Sequence, residues 1–238
     1  MNGGALPGDV RVLTDPIALA GAAAHWISES CRGANAFRIA ASGGNTPHFL
    51  YEALASSTFR TSIEWQHWHV FFGDERAVAP EDAESNYRLL VDTLLSKVPV
   101  PAEQLHRMEA ERSDLDAAAA DYAQLLEAEC GDPPRLDLVL LGLGADGHTA
   151  SLFPGTGALD VDDTWVTRGQ ASRPPVDRLT LTLPALNAAA RVAFLVTGPS
   201  KADALRGVID GTVPAARVRP ASGELLWFLD TAAAHSLS

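Results

Sequence analysis

Lysine is nearly missing from this chain. Of 18 basic residues in 238, only Lys97 and Lys201 are lysines, and the others are arginines. Cysteine is as scarce: Cys31 and Cys130 stand far from every motif described below and read as reduced thiols of a cytoplasmic protein. No apolar run approaches the roughly 20 residues that span a bilayer, so no membrane role is expected. The N-terminus lacks the basic start and apolar stretch of a signal peptide. Positive charge is in deficit overall, and a formal net charge of −12 argues against a nucleic-acid-binding surface.

Several catalytic signatures are absent too. There is no Gly-x-Ser-x-Gly elbow for a serine nucleophile and no Walker A loop for a nucleotide. Gly142-Leu143-Gly144 hints at a dinucleotide fingerprint, but no third glycine stands at the required spacing. Internal repeats, low-complexity tracts and linkers are not seen.

What remains is a globular composition, 47% hydrophobic and 20% charged, long enough to bury a sizeable core. Helical and strand patterns alternate along it. Asp15-Pro16 reads as an N-cap and first helical residue, opening an Ala-rich helix to about Cys31. Residues 36–41 read as a strand, which turns through SGGNTP into a helix containing Leu50 and Leu54. Trp68 to Phe72 forms the next strand and ends in Gly-Asp-Glu-Arg. Ser85 caps a following helix, and Ser113 caps another that runs to Cys130. Arg178 to Leu183, Arg191 to Thr197 and Leu225 to Leu229 read as further strands. The economical architecture over residues 1–238 is a single α/β domain, a three-layer αβα sandwich with a mostly parallel sheet.

The stretch Leu136 to Gly155 organises the chemistry. It opens as an apolar run, Leu138 to Leu143, of the kind buried on both faces of a parallel sheet. It then breaks on glycines and delivers Asp146, Gly147 and His148 into a loop. Parallel sheets place ligands beyond the carboxyl ends of their strands, so a titratable pair here is a candidate site. An imidazole with its ordinary pKa of about 6.5 suits a general base near neutrality. Asp146, two residues earlier, is placed to orient it or to hold a substrate hydroxyl.

Three other segments join it. In Ser42-Gly43-Gly44-Asn45-Thr46-Pro47, glycines admit a ligand to backbone N–H groups at a helix N-terminus, and Thr46 is a candidate cap. Asp74, Glu75 and Arg76 follow a strand's carboxyl end, as either a ligand contact or a solvated loop. Lys201 lies in the first turn of the helix after Gly198-Pro199-Ser200, where the macrodipole costs a cation a few tenths of a kcal/mol. An anionic ligand at that terminus would remove the penalty. His67 and His69 alternate on one strand, but no third metal ligand of suitable spacing is evident, and packing or surface roles are expected for them.

Taken together, these segments resemble the 6-phosphogluconolactonase family. The matching pieces are ASGGNTP, GDER, Ser85-Asn86, GLGADGHTASLFPG, RLTLTLPALN from Arg178, TGPSKADAL and the closing GELLWFLD, in order along nearly the whole chain. Asn45 departs from the serine common in that family. The resemblance implies a Rossmann-like fold shared with glucosamine-6-phosphate deaminases and ribose-5-phosphate isomerases. It also implies hydrolysis of 6-phospho-glucono-1,5-lactone, the second step of the oxidative pentose phosphate pathway, with no metal and no organic cofactor. Under it His148 activates water beside Asp146, with Asp74 and Arg76 in the catalytic set. Arg76, Lys201 and Arg178 hold the phosphate or substrate oxygens with Ser42, Gly43, Gly44, Asn45 and Thr46. The implied partner is a small phosphorylated sugar lactone, and the expected state is a monomer or weak homo-oligomer.

Two rivals are weighed against this. Deaminases of the same fold continue from Asp-Gly-His toward an Asn-Glu pair, whereas Thr149 to Pro154 here contains no acid. A sugar-phosphate sensor would carry a DNA-binding segment, and only some 14 residues precede the first helix. A catalytic domain is expected.

Overall fold

A computed structural model describes residues 4–237. Its main sheet has six strands, β1 (Asp9–Leu13), β2 (Phe37–Ala41), β3 (Trp68–Phe72), β5 (Leu138–Leu141), β8 (Arg191–Val196) and β9 (Glu224–Asp230). They lie in the order β1-β9-β8-β5-β2-β3, and every neighbouring pair is parallel. A second, antiparallel sheet holds β4 (Asp74–Arg76), β7 (Asp177–Leu181) and β6 (Val166–Gln170), in the order β4-β7-β6. The longer helices are α1 (Pro16–Ser30), α2 (Asn45–Leu54), α4 (Asn86–Thr93), α5 (Leu115–Cys130) and α7 (Ala202–Asp210); α3 (Ser57–Arg60), α6 (Leu183–Ala188) and α8 (Thr231–Ala234) are short.

The order reverses at the centre. From β2 the chain steps outward to β3, then returns to β5 and builds away through β8 and β9. Right-handed crossovers therefore send α1 and α2 to one face and α5 and α7 to the other. The crevice at such a reversal opens beyond the carboxyl ends of the two strands that flank it, here β2 and β5. Both are followed by the glycine-rich segments singled out above.

The core explains the apolar runs. Leu138 to Leu141 are wholly buried, and β8 packs Phe194 flat on Trp227 of β9, ring centroids 4.0 Å apart. The sequence pattern placed β2, β3, β5, β8 and β9 to within one or two residues at each end. It missed β1, a five-residue edge strand whose alternating Val10 and Val12 stay exposed, and β6.

Other boundaries differ for local reasons. Asp114, not Ser113, caps α5, its carboxylate accepting from the Ala117 N–H at 2.9 Å. Thr46 does not cap α2. Gly44, at φ 101°, occupies the cap position, and the Thr46 hydroxyl instead meets that of Thr197 at 2.7 Å. Lys201 closes a 3₁₀ turn, Pro199–Lys201, and stands just ahead of α7 rather than inside its first turn. His67 belongs to a 3₁₀ turn before β3, so it does not share a strand with His69. Gly-Asp-Glu-Arg is neither loop nor solvated. Gly73 bonds to both sheets, through Ala41 O and the Leu181 N–H, and the chain leaves the main sheet there to enter the second as β4.

Candidate active site

Beyond β2 and β5 lies a cavity of about 810 Å³. Its walls include Ser42, Gly43, Gly44, Asn45, Thr46, Asp74, Arg76, Asp146, His148, Arg178 and Lys201. The fold thus brings together nearly every residue the sequence singled out for this site, from positions 42 to 201; Glu75 is the exception.

His148 is held by its own loop. The Gly144 N–H donates to His148 O at 2.8 Å, and the Thr149 hydroxyl donates to Gly142 O at 2.9 Å. Asp146 Oδ1 accepts the His148 backbone N–H at 3.2 Å and lies 2.5 Å from ring Nδ1. A Cβ on Gly144 would overlap that ring and the Asp146 carboxylate, so only glycine lets the pair fold back on the strand end. Phe153 packs against the ring at 4.3 Å between centroids. With Nδ1 engaged by a carboxylate, Nε2 is left as the nitrogen that can accept a proton. Burial alone would raise the Asp146 carboxyl, but hydrogen bonds from the His148 backbone and ring, with the ring's charge, hold it below its ordinary value. The same loop contains Ala150 at φ 48°, a left-handed conformation uncommon for a residue with a side chain.

The cations come from the second sheet. Arg76 and Arg178 are direct partners across β4 and β7. Arg178 is 8% exposed, and burial followed by the neighbouring Arg76 charge pushes its guanidinium below its usual value, with Asp74 and two glutamates opposing. Two adjacent guanidiniums in a cavity wall repel each other unless an anion lies between them. Lys201 and Arg173 line the same cavity, making four cations against the carboxylates of Asp74 and Asp146. Within a protein of net charge −12, this is a locally positive pocket.

A sequence model of the family described as glucosamine-6-phosphate isomerases/6-phosphogluconolactonase matches residues 14–227. The chain belongs to that family. It is 43% identical over 211 residues to a 6-phosphogluconolactonase from a Nostoc species, covering 85% of each chain. The solved 6-phosphogluconolactonase from Trypanosoma cruzi superposes with a TM-score of 0.88 at 30% identity, over 100% of both chains. A monomeric glucosamine-6-phosphate deaminase shares the fold at a TM-score of 0.84 and 21% identity, covering 96% of this chain and 99% of that one.

Within this member of the glucosamine-6-phosphate isomerase/6-phosphogluconolactonase family, sequence reasoning missed several wall residues. Arg173 sits in the exposed loop between β6 and β7, where no motif marks it. Asn86 and Ser151 fell inside recognised motifs without a role of their own. Asn86 Nδ2 donates to Asp74 O at 2.8 Å, and a Cβ on Gly43 would overlap its amide, so the glycine turn and the start of α4 are fitted to each other. Glu75, which the sequence set with Asp74 and Arg76 as a ligand contact or a solvated loop, is neither and does not line the cavity. It accepts from the N–H groups of Arg76, Asn86 and Tyr87, each at 2.8 Å, and from the Ser85 hydroxyl at 3.1 Å. Its work is to anchor α4 beneath β4.

Proposed function

We infer that this chain is a 6-phosphogluconolactonase, which hydrolyses 6-phospho-glucono-1,5-lactone to 6-phosphogluconate in the oxidative pentose phosphate pathway. The carrying observation is the presence, in one cavity, of an imidazole tied through Nδ1 to a carboxylate and a cluster of cations with too few acids to neutralise it. His148 Nε2 takes a proton from water as the oxygen attacks C1 of the lactone. The carbonyl electrons move onto oxygen, then return as the bond from C1 to the ring oxygen breaks. The proton held on His148 goes to that leaving oxygen, so the base is regenerated and one water is consumed.

A lactone is an activated ester, and one positioned base contributes typically about 10²–10⁴-fold. The oxyanion at C1 develops among backbone N–H groups and the Arg76 guanidinium. Arg76, Arg178 and Lys201, with the turn from Ser42 through Thr46, hold the phosphate and the substrate oxygens, and phosphate binding energy positions the distant C1. Asp74 contributes a buried acceptor to the same wall. The chain acts as one catalytic domain, a monomer or weak homo-oligomer of the cytoplasm, without a cofactor. Among the described residues, no helix is long and apolar enough to cross a membrane.

The test is to time the opening of freshly generated 6-phosphogluconolactone with and without the protein, alongside glucosamine 6-phosphate. Faster opening of the lactone and no ammonia from the amino sugar are expected. Deamination without lactone hydrolysis would reverse the assignment.

A further inference from the structure

A second cluster of ligand-type side chains lies at the sheet edge, outside the catalytic cavity. His69, His106 and Glu129 come from β3, from the segment after the 3₁₀ turn Ala102–Gln104, and from the last turn of α5. One ligand atom from each lies within 4.8 Å of the other two. His69 Nδ1 is 3.5 Å from His106 Nε2 and 3.7 Å from Glu129 Oε2. Two ligands of a tetrahedral zinc ion, each about 2.0–2.1 Å from the metal, stand roughly 3.3 Å apart. The trio is therefore already close to the spacing a small ion requires.

The rings are also presented suitably. Their planes lie within 11° of each other, yet the centroids are 5.7 Å apart with the two nitrogens facing across 3.5 Å. They therefore meet edge to edge, with ring nitrogens rather than ring faces turned toward each other. Each ligand is set by its backbone. The His106 N–H donates to Val70 O at 2.8 Å, its carbonyl accepts from the Tyr122 hydroxyl at 2.9 Å, and its ring lies on Phe71. Glu129 is positioned by Arg38, whose Nε donates to its carbonyl at 2.6 Å. The side chains of His69 and Glu129 are 21% and 38% exposed, so an ion could enter and keep a water as its fourth ligand.

We propose that His69, His106 and Glu129 form a binding site for a zinc-class divalent transition metal, which pins the edge strand β3 to the end of α5. Two imidazoles and one carboxylate favour zinc and its first-row neighbours over magnesium, which prefers an octahedron of oxygens. None of the three residues lines the catalytic cavity, so the ion is a structural brace and takes no part in lactone hydrolysis.

The experiment is a zinc titration against a chromophoric chelator, made in a His148→Asn background so that the active-site imidazole cannot contribute. One equivalent of zinc is expected, bound at least tenfold more tightly than in the same chain carrying His69→Gln and His106→Gln, with a thermal midpoint that rises on zinc addition only when the trio is intact. Excess magnesium should not displace it. Folding of the double variant is read from lactone hydrolysis in an otherwise wild-type chain, which the two substitutions leave unchanged. Should that variant fail to fold, Glu129→Gln at the exposed rim takes its place. Equal zinc affinity with and without the trio, or no zinc bound by the intact chain, would overturn the proposal.

Discussion

The Ser151 hydroxyl donates to Asp74 Oδ2 across 2.6 Å, joining residues 77 positions apart in the chain. It ties the histidine loop after β5 to the arginine strand β4. Asp74 is 7% exposed, and a hydrogen bond to a charged group contributes about 1.5–3 kcal/mol. Ser151→Ala should lower the thermal midpoint by roughly 2–4 °C for each kcal/mol lost, and should lower kcat/KM for the lactone because Asp74 loses its fixed orientation. An unchanged midpoint and rate would show that Asn86, whose Nδ2 also donates to Asp74 Oδ1 at 3.3 Å, is enough to hold the carboxylate.

Arg178 should trade stability for binding. It is buried beside Arg76, and both burial and that neighbouring charge work against its protonated form. Arg178→Met removes the repulsion at the cost of one hydrogen bond to Pro175 O. The free protein should melt higher while KM for the lactone rises at least about tenfold, which corresponds to roughly 1.4 kcal/mol. A lower midpoint with unchanged KM would make Arg178 a structural residue.

Lys201→Met should mainly raise KM and leave kcat near wild type if, as proposed, the lysine holds a part of the substrate that does not react. An unchanged KM would return Lys201 to the surface.

Glu75→Gln should destabilise without touching the substrate. The two carboxylate oxygens accept from four donors, and an amide would set an N–H₂ group against some of them. Burial pushes this carboxyl above its ordinary value despite the three backbone N–H groups that oppose the shift. Even so, donor facing donor costs about 1–3 kcal/mol. Thermal unfolding checks it, and a midpoint equal to wild type would contradict the anchoring role.

Asp146 supplies a pH signature. Its carboxyl is held below its ordinary value in the fold, so its stabilising contribution is complete above the unfolded value, about 3.9, and is lost as pH falls through the folded one. The group is about half exposed, so the effect is small. The difference in thermal midpoint between wild type and Asp146→Asn should be present near about pH 6 and should close below about pH 4. A gap that persists unchanged in acid would show that the ionised carboxylate is not what matters.

Much of this was legible because buried strands advertise themselves. The wholly apolar Leu138–Leu141 and the glycine breaks after β2 and β5 located both the sheet and its crevice. The remainder depended on long-range pairing, which has no local signal. Arg178 was marked only by the family resemblance, and its place beside Arg76 comes from the pairing of β7 with β4. Glu75 reads as a ligand contact or a solvated loop residue until the start of α4 closes over it. His69 had no third ligand at any short spacing, because His106 and Glu129 reach it through a sheet-edge segment and a helix end. Exposed β1 was overlooked because its alternation, Val10 and Val12 between Asp9 and Arg11, covers only five residues.

Turnover of the His148→Asn variant tests the central claim most directly. With Nε2 acting as the base, kcat on freshly generated 6-phosphogluconolactone should fall by at least about 10²-fold while KM and the thermal midpoint change little. Turnover near that of the wild-type protein would remove His148 from the reaction and contradict the account.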